Sequence, residues 1–160
     1  MPLHQWLDPG RVGILDAPGD RDAVIDAIAR LLADPAAGDA EAIRHSLHAR
    51  EKLASTGIGH GVAFPHGRVP SLEHTRGAFL RLSEPVDFGA VDGEPVDLVL
   101  AMAVPEHALQ EHLQQLAELA ERFGDPDFRR ELRRARDTDG LRRCLLGPPT
   151  GAPPSHARSR

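Results

Sequence analysis

Cysteine is nearly absent: Cys144 is the single example in 160 residues. An internal disulfide and a cysteine-built zinc cage are both excluded. One lone thiol fits a reducing, cytoplasmic compartment. Aromatic residues are scarce, at 4%, with five Phe, one Trp and no Tyr. A base-stacking platform for nucleic acid needs more rings than that. Basic residues are short as well: 19 Lys and Arg face 24 Asp and Glu, a net charge of −5. A general nucleic-acid or anionic-membrane binder carries a basic excess instead. No apolar run approaches the roughly 18 residues that span a bilayer. The start, Met1-Pro2-Leu3-His4-Gln5, lacks the basic-then-apolar pattern of a signal peptide. Neither membrane insertion nor a leader is therefore expected.

What is present is the profile of a globular chain. Hydrophobic residues make up 41% and charged residues 27%, and the length suits one domain with a core of Leu, Val, Ile and Ala. The end differs from the rest. Gly147 to Arg160 reads GPPTGAPPSHARSR, which has nothing to bury, so a domain over 1–146 and a disordered tail over 147–160 are expected. No internal repeat is visible.

Within the domain, Val12–Leu15 reads as a short edge strand. Asp20 or Asp22 can cap a helix carrying Val24, Ile28, Leu31 and Leu32 at helical spacing, ended by Asp34-Pro35. A second helix is predicted over 39–53, with Ile43 and Leu47 on one face. Residues 55–61, STGIGHG, form a glycine-rich turn, followed by a short strand, Gly61–Phe64, that ends at Pro65-His66-Gly67. Ala78, Leu80 and Leu82 alternate with Gly77, Phe79 and Arg81 as in a strand. Val86–Phe88 is a brief extended segment before the turn at Asp92-Gly93. Val96–Val104 is apolar except for Asp97, the pattern of a central strand covered on both faces. Leu109, Leu113, Leu116, Ala120 and Phe123 mark the longest helix; Phe128, Leu132 and Ala135 mark another, and 137–146 the last. This order gives a single-domain α/β sandwich, a mixed sheet flanked by helices on both faces.

A few residues stand apart from this framework. His66 lies between Pro65 and Gly67, at the edge of a turn, where proline fixes the approach and glycine leaves one side open. Such a histidine either exposes a reactive ring nitrogen or bonds to the backbone. Arg50 falls on the stripe of Ile43, Leu47 and Ala54. A half-buried guanidinium needs an anion, and both an internal carboxylate such as Asp97 and an external phosphate satisfy that need; Glu51 is adjacent but points elsewhere. His112 is expected at the boundary between core and solvent, where a structural role is the plainer reading. His107 is five residues away, off its face, so the pair lacks metal-site spacing. His45 and His48 share a face at i, i+3, which solvated side chains explain equally. The turn Gly57-Ile-Gly59-His-Gly61 lacks a Gly-Lys-Ser/Thr ending, and Val62 breaks G-x-G-x-x-G, so nucleotide binding is rejected. Ser55 and Thr56 still offer hydroxyls to an anion. Cys144, beside Leu141 and Leu145, reads as a small core residue.

Taken together, these stretches resemble a known family. Arg50-Glu51, Ser55-Thr-Gly-Ile-Gly59 and Gly61-Val-Ala-Phe-Pro-His66 are similar to the enzyme IIA domain of the fructose/mannitol class of the phosphotransferase system (PTS). Pro85-Val-Asp-Phe88, Asp92-Gly-Glu-Pro-Val-Asp97, Val104-Pro-Glu106 and His112-Leu113 continue the pattern in order, over roughly residues 10–146. The free-standing length resembles the nitrogen-regulatory member. Phe64 departs from the family, which usually has an aliphatic residue there; no effect on chemistry is expected. The resemblance implies a transferase component without cofactor or metal. His66 would be the phosphohistidine, accepting phosphoryl on Nε2 from an HPr-like carrier protein. Arg50 and His112 would support it, and Ser55, Thr56 and the turn backbone would complete the pocket. It also implies regulated partners, such as potassium transport systems or sensor kinases. A sugar-specific enzyme IIA passing phosphate to an enzyme IIB, and a binding module never phosphorylated, are the alternatives.

The composition of the tail generates a first prediction. Deleting 147–160 should leave the melting midpoint within a few degrees of the full chain, because no apolar periodicity is lost. A larger drop in a thermal melt would show that the tail packs on the body.

Overall fold

A computed structural model describes residues 3–107 and 109–147 of the chain; the expected tail lies outside the described residues beyond Gly147. After a 3₁₀ turn at Leu3–Gln5 the elements run β1 (Leu7–Leu15), α1 (Arg21–Leu32), α2 (Ala40–Leu53), β2 (Gly57–Gly59), β3 (Val62–Ala63), β4 (His66–Arg68), β5 (Arg76–Val86), β6 (Val96–Val104), α3 (Leu109–Phe123), α4 (Pro126–Arg134) and α5 (Thr138–Leu146). The sheet order is β1-β5-β6-β3-β2, with β4 also on β6. β5 and β6 are antiparallel, while β1 on β5 and both β3 and β4 on β6 are parallel. The sheet is mixed, as expected, and β6 is its central strand.

Helix boundaries follow from capping. The Asp20 side chain accepts from Ala23 N and starts α1, Asp125 caps α4 ahead of Pro126, and Asp137 caps α5. α2 starts after Asp39, but that carboxylate caps nothing; it is buried, accepts from Asp34 N and pairs with Arg76.

Strand alternation then divides the core. Val99, Ala101 and Ala103 of β6, with Ala78, Leu80 and Leu82 of β5, face α1 and α2. Leu98, Leu100, Met102 and Val104, with Phe79, face the other side, against Leu119 and Phe123 of α3, Leu132 of α4 and Leu141 and Leu145 of α5. Each face of β6 is covered, which explains a run of nine residues broken only by Asp97. Cys144 packs on the second cluster at intermediate burial, and burial raises its thiol pKa above the ordinary value.

The sequence and the structure differ at four places. β1 begins at Leu7 rather than Val12, with a register shift between them that accommodates Pro9 and Gly10 at the sheet edge. The glycine-rich stretch is a hairpin: Gly59 pairs with Val62 across His60-Gly61, both at positive φ (60° and 78°), the pattern of a type I′ turn. His66 is the first residue of a strand, not a turn residue. On α3, Leu113 is 59% exposed and Ala120 is exposed, while His112, Gln115 and Leu119 are buried. The inward stripe is thus shifted by one residue, because His112 has a ring to meet inside.

The phenylalanines concentrate on the second face. Phe123 meets Phe64 edge-on at 5.4 Å and Phe128 at 5.0 Å between centroids, with Phe79 at 6.3 Å. In a chain poor in aromatics this cluster is a large share of the ring area. Phe123→Ala should destabilise the fold by about 3–5 kcal/mol in urea unfolding. A loss below about 1 kcal/mol would show that the neighbours close over the space.

Candidate functional site

The site is built where β3 and β4 lie end to end along β6. Val62 and Ala63 are opposite Leu98 and Val99, and His66 to Arg68 are opposite Met102 to Val104. Phe64-Pro65 interrupts the line. Pro65 has no N–H to give, yet its carbonyl accepts from Met102 N at 3.0 Å, and Phe64 N donates to Thr56 O. The chain therefore stays registered through the break and delivers His66 to a fixed place. Gly67 follows because the other face is full: a Cβ there would overlap Ser46 Oγ of α2.

The Nδ1 of His66 lies 2.8 Å from Phe64 O. A carbonyl only accepts, so Nδ1 carries the proton and Nε2 of the neutral ring keeps its lone pair. Burial lowers the pKa of His66 below the ordinary 6.5; the bond to Phe64 opposes this, and the charge of Arg50 reinforces it. The ring is neutral at pH 7, with its nucleophilic nitrogen defined.

His112 reaches the same place from α3. Its ring centroid is 5.0 Å from that of His66, with planes at 50°. Burial, then the neighbouring His66, then Arg68 bring its pKa down to about 4. Its Nδ1 is buried and meets no hydrogen-bond partner among the described residues. The expected boundary position is thus a buried one.

Arg50 comes from the last turn of α2 and is half-buried, as its stripe position implies. Its Nη1 donates to Ala54 O at 2.8 Å. Among the described residues no carboxylate lies within ion-pair distance of it. Asp97 is engaged by Arg133 at 2.9 Å, so that candidate internal partner is excluded. Glu51 indeed points elsewhere: it is buried and accepts from Thr56 N at 2.9 Å and Thr56 Oγ1 at 2.7 Å.

The hydroxyls of Ser55 and Thr56 have structural partners. Ser55 Oγ donates to Phe88 O at 2.6 Å and accepts from Gly57 N at 3.0 Å, and Thr56 is tied to Glu51. These bonds hold the segment between α2 and the hairpin. The hairpin is held from outside as well: Arg133 Nη2 donates to His60 O at 2.7 Å, and a Cβ at Gly61 would collide with that guanidinium. His66, His112 and Arg50 are therefore brought together, whereas Ser55 and Thr56 shape the wall.

Two roles escaped the sequence reading. Glu51 organises the wall, and Arg68 lies near enough to His112 to depress its pKa. Arg68 was legible in principle as the i+2 neighbour of His66 on a strand. Elsewhere, His48 bonds Asp26 at 2.7 Å and lies near Asp22, on the outer side of α1 and α2. Among the described residues no cluster of three or more His, Cys, Asp or Glu could hold a metal ion, and no helix is long and apolar enough to cross a membrane.

Comparison with known proteins identifies the family. The profile described as "Phosphoenolpyruvate-dependent sugar phosphotransferase system, EIIA 2" matches residues 6–146. A nitrogen regulatory protein of Bradyrhizobium diazoefficiens is 36% identical over 95% of this chain and 99% of its own length. One from Pseudomonas aeruginosa is 41% identical over 90% of this chain and 94% of its own. The crystal structure of nitrogen regulatory protein IIA-Ntr from Neisseria meningitidis superposes with a TM-score of 0.82 at 36% identity, over 90% of this chain and 99% of that one. With its family profile covering nearly all the described residues, the chain belongs to the EIIA type 2 family of the phosphoenolpyruvate-dependent phosphotransferase system.

Proposed function

We propose that this chain is a phosphohistidine carrier whose phosphorylation state regulates other proteins. The observation that carries the reading is the bond from His66 Nδ1 to Phe64 O, which leaves Nε2 of a neutral, desolvated ring free to attack phosphorus. The donor is an HPr-like carrier protein. The electron pair of Nε2 forms the new N–P bond, and the pair of the breaking bond returns to the donor. No proton must leave His66 for attack, because Nε2 carries none.

The remaining groups stabilise charge. In phosphoryl transfer, charge spreads over the equatorial oxygens, and positioning plus electrostatics supplies most of the catalysis. Arg50 has a guanidinium with no carboxylate to satisfy, and His112 a neutral imidazole with one N–H to donate. Alignment over almost the entire length of proteins named nitrogen regulatory protein supports regulation over sugar-specific transfer to an enzyme IIB.

Phosphoenolpyruvate with enzyme I and the HPr-like carrier should add one phosphate, lost in acid and retained in alkali; label surviving in His66→Ala, or stable to acid, would overturn the assignment. Arg50→Ala should slow uptake on the order of 100-fold with little change in melting midpoint, since no buried carboxylate is stranded. His112→Ala should slow it less. A structural ion pair at Arg50 would give the reverse, a loss of about 3–5 kcal/mol in stability.

Uptake should also depend on pH with a defined sign. Protonating Nε2 removes the nucleophile, so the rate should fall as pH drops through an apparent pKa below 6.5. Arg50→Ala should move that midpoint upward, because the guanidinium no longer opposes the imidazolium. A rate–pH profile of both proteins measures this, and an unmoved midpoint in the variant would place Arg50 too far from the ring to matter.

A further inference from the structure

Arg68 is the feature that the proposed mechanism leaves unused. On β4, His66 and Arg68 are two apart, so their side chains leave the same face of the strand, the face of Met102 and Val104 opposite them. Gly67, between them, turns to α2. The Arg68 backbone is tied down: its carbonyl accepts from Ser46 Oγ at 2.8 Å, and Val69 N donates to Val104 O at 2.8 Å. Its side chain is exposed, and among the described residues no carboxylate lies within ion-pair distance of it. Arg76 and Arg133, by contrast, are paired with Asp39 and Asp97. A rigid strand thus holds an unneutralised guanidinium two residues from His66 on the same face, near enough to His112 to make its protonation harder.

We propose that Arg68 is a second guanidinium contact for the phosphoryl group at His66, arriving from β4 on the His112 side while Arg50 arrives from the end of α2. The inference rests on the reading of His66 as the phosphoryl acceptor. As the donor's bond to phosphorus breaks and the Nε2–P bond forms, three elements of the fold then each present one group to the oxygens: Arg50, Arg68 and His112. Arginine suits this task because its planar fork donates twice to phosphate oxygens, which a lysine ammonium does not reproduce.

The test is single-turnover phosphoryl uptake from the phosphorylated HPr-like carrier by wild type, Arg68→Ala and Arg68→Lys, over a range of donor concentrations. Arg68→Ala is expected to lower the rate at saturating donor by about 10- to 100-fold, with donor affinity changed less than about twofold. Arg68→Lys should recover part of the loss, since it keeps the charge without the fork. Melting midpoints should match, because the side chain is exposed. In the unphosphorylated proteins, an NMR titration should show the His112 pKa higher in Arg68→Ala than in wild type. An unchanged saturating rate, or a loss confined to donor affinity and erased by salt, would overturn the proposal and leave Arg68 as a docking charge or a bystander. A wild-type protein that takes no phosphate on His66 would overturn the acceptor reading, and this inference with it. Normal labelling with an unaffected Arg68→Ala would overturn the inference alone.

Discussion

One hydrogen bond organises the site: His66 Nδ1–H to the carbonyl of Phe64, at 2.8 Å. It is short-range in sequence, yet it forms only because distant parts of the chain fix both ends. Phe64 is held by Thr56, Pro65 by Met102 of β6, and Gly67 by the close approach of Ser46. An imidazole that could turn over would present either nitrogen. Here the tautomer is set by a partner that can only accept. The ring's direction therefore depends on the sheet register, and the sheet register on the two cores packed against β6.

The electrostatics of the pocket follow from which charges are satisfied. Glu51, the buried carboxylate nearest in sequence to Arg50, is turned to Thr56 and holds the wall rather than the guanidinium. Asp97 is paired with Arg133. Arg50 and Arg68 are left facing two histidines that burial keeps neutral. Burial is the main reason both pKa values fall; Arg50 at His66 and Arg68 at His112 add to it, because protonating the ring would place a further positive charge beside a cation. An incoming phosphoryl group reverses the balance, since it meets the cations without an internal carboxylate competing for them.

Much of this was legible from the residues. The apolar run of β6, broken only by Asp97, marked the sheet centre because a strand covered on both faces has no need of alternation. The stripe on α2 is real at Ile43 and Leu47, which are buried, and Arg50 beside it is half-buried, but Ala54 is exposed and Glu51 takes the buried place in the last turn. The misreadings share a cause: local pattern yielded to a tertiary partner. Gly67 reads as a turn signal, but it is there so that β4 can pass Ser46, and taking Pro65-His66-Gly67 as a turn hid the i+2 relation between His66 and Arg68. Leu113 fits the apolar spacing of α3 better than His112 does, yet His112 is the residue turned inward. Ser55 and Thr56 have the right chemistry for an anion, but Phe88 and Glu51, one of them 33 residues away, claim their hydroxyls.

The surface around the site carries the last step. Leu53 is 83% exposed one turn beyond Arg50, and Leu113 is 59% exposed beside His112. Exposed apolar side chains thus lie close in sequence to site residues on α2 and α3. Under the carrier reading the same surface presents two states to a partner: unneutralised guanidiniums before transfer, and an added negative charge between them afterwards. Discrimination then falls to the charge at the centre, where a like charge on the partner is penalised by several kcal/mol or, after transfer, welcomed. A carrier and a regulator need no different architecture for this; they differ in which partner reads the sign.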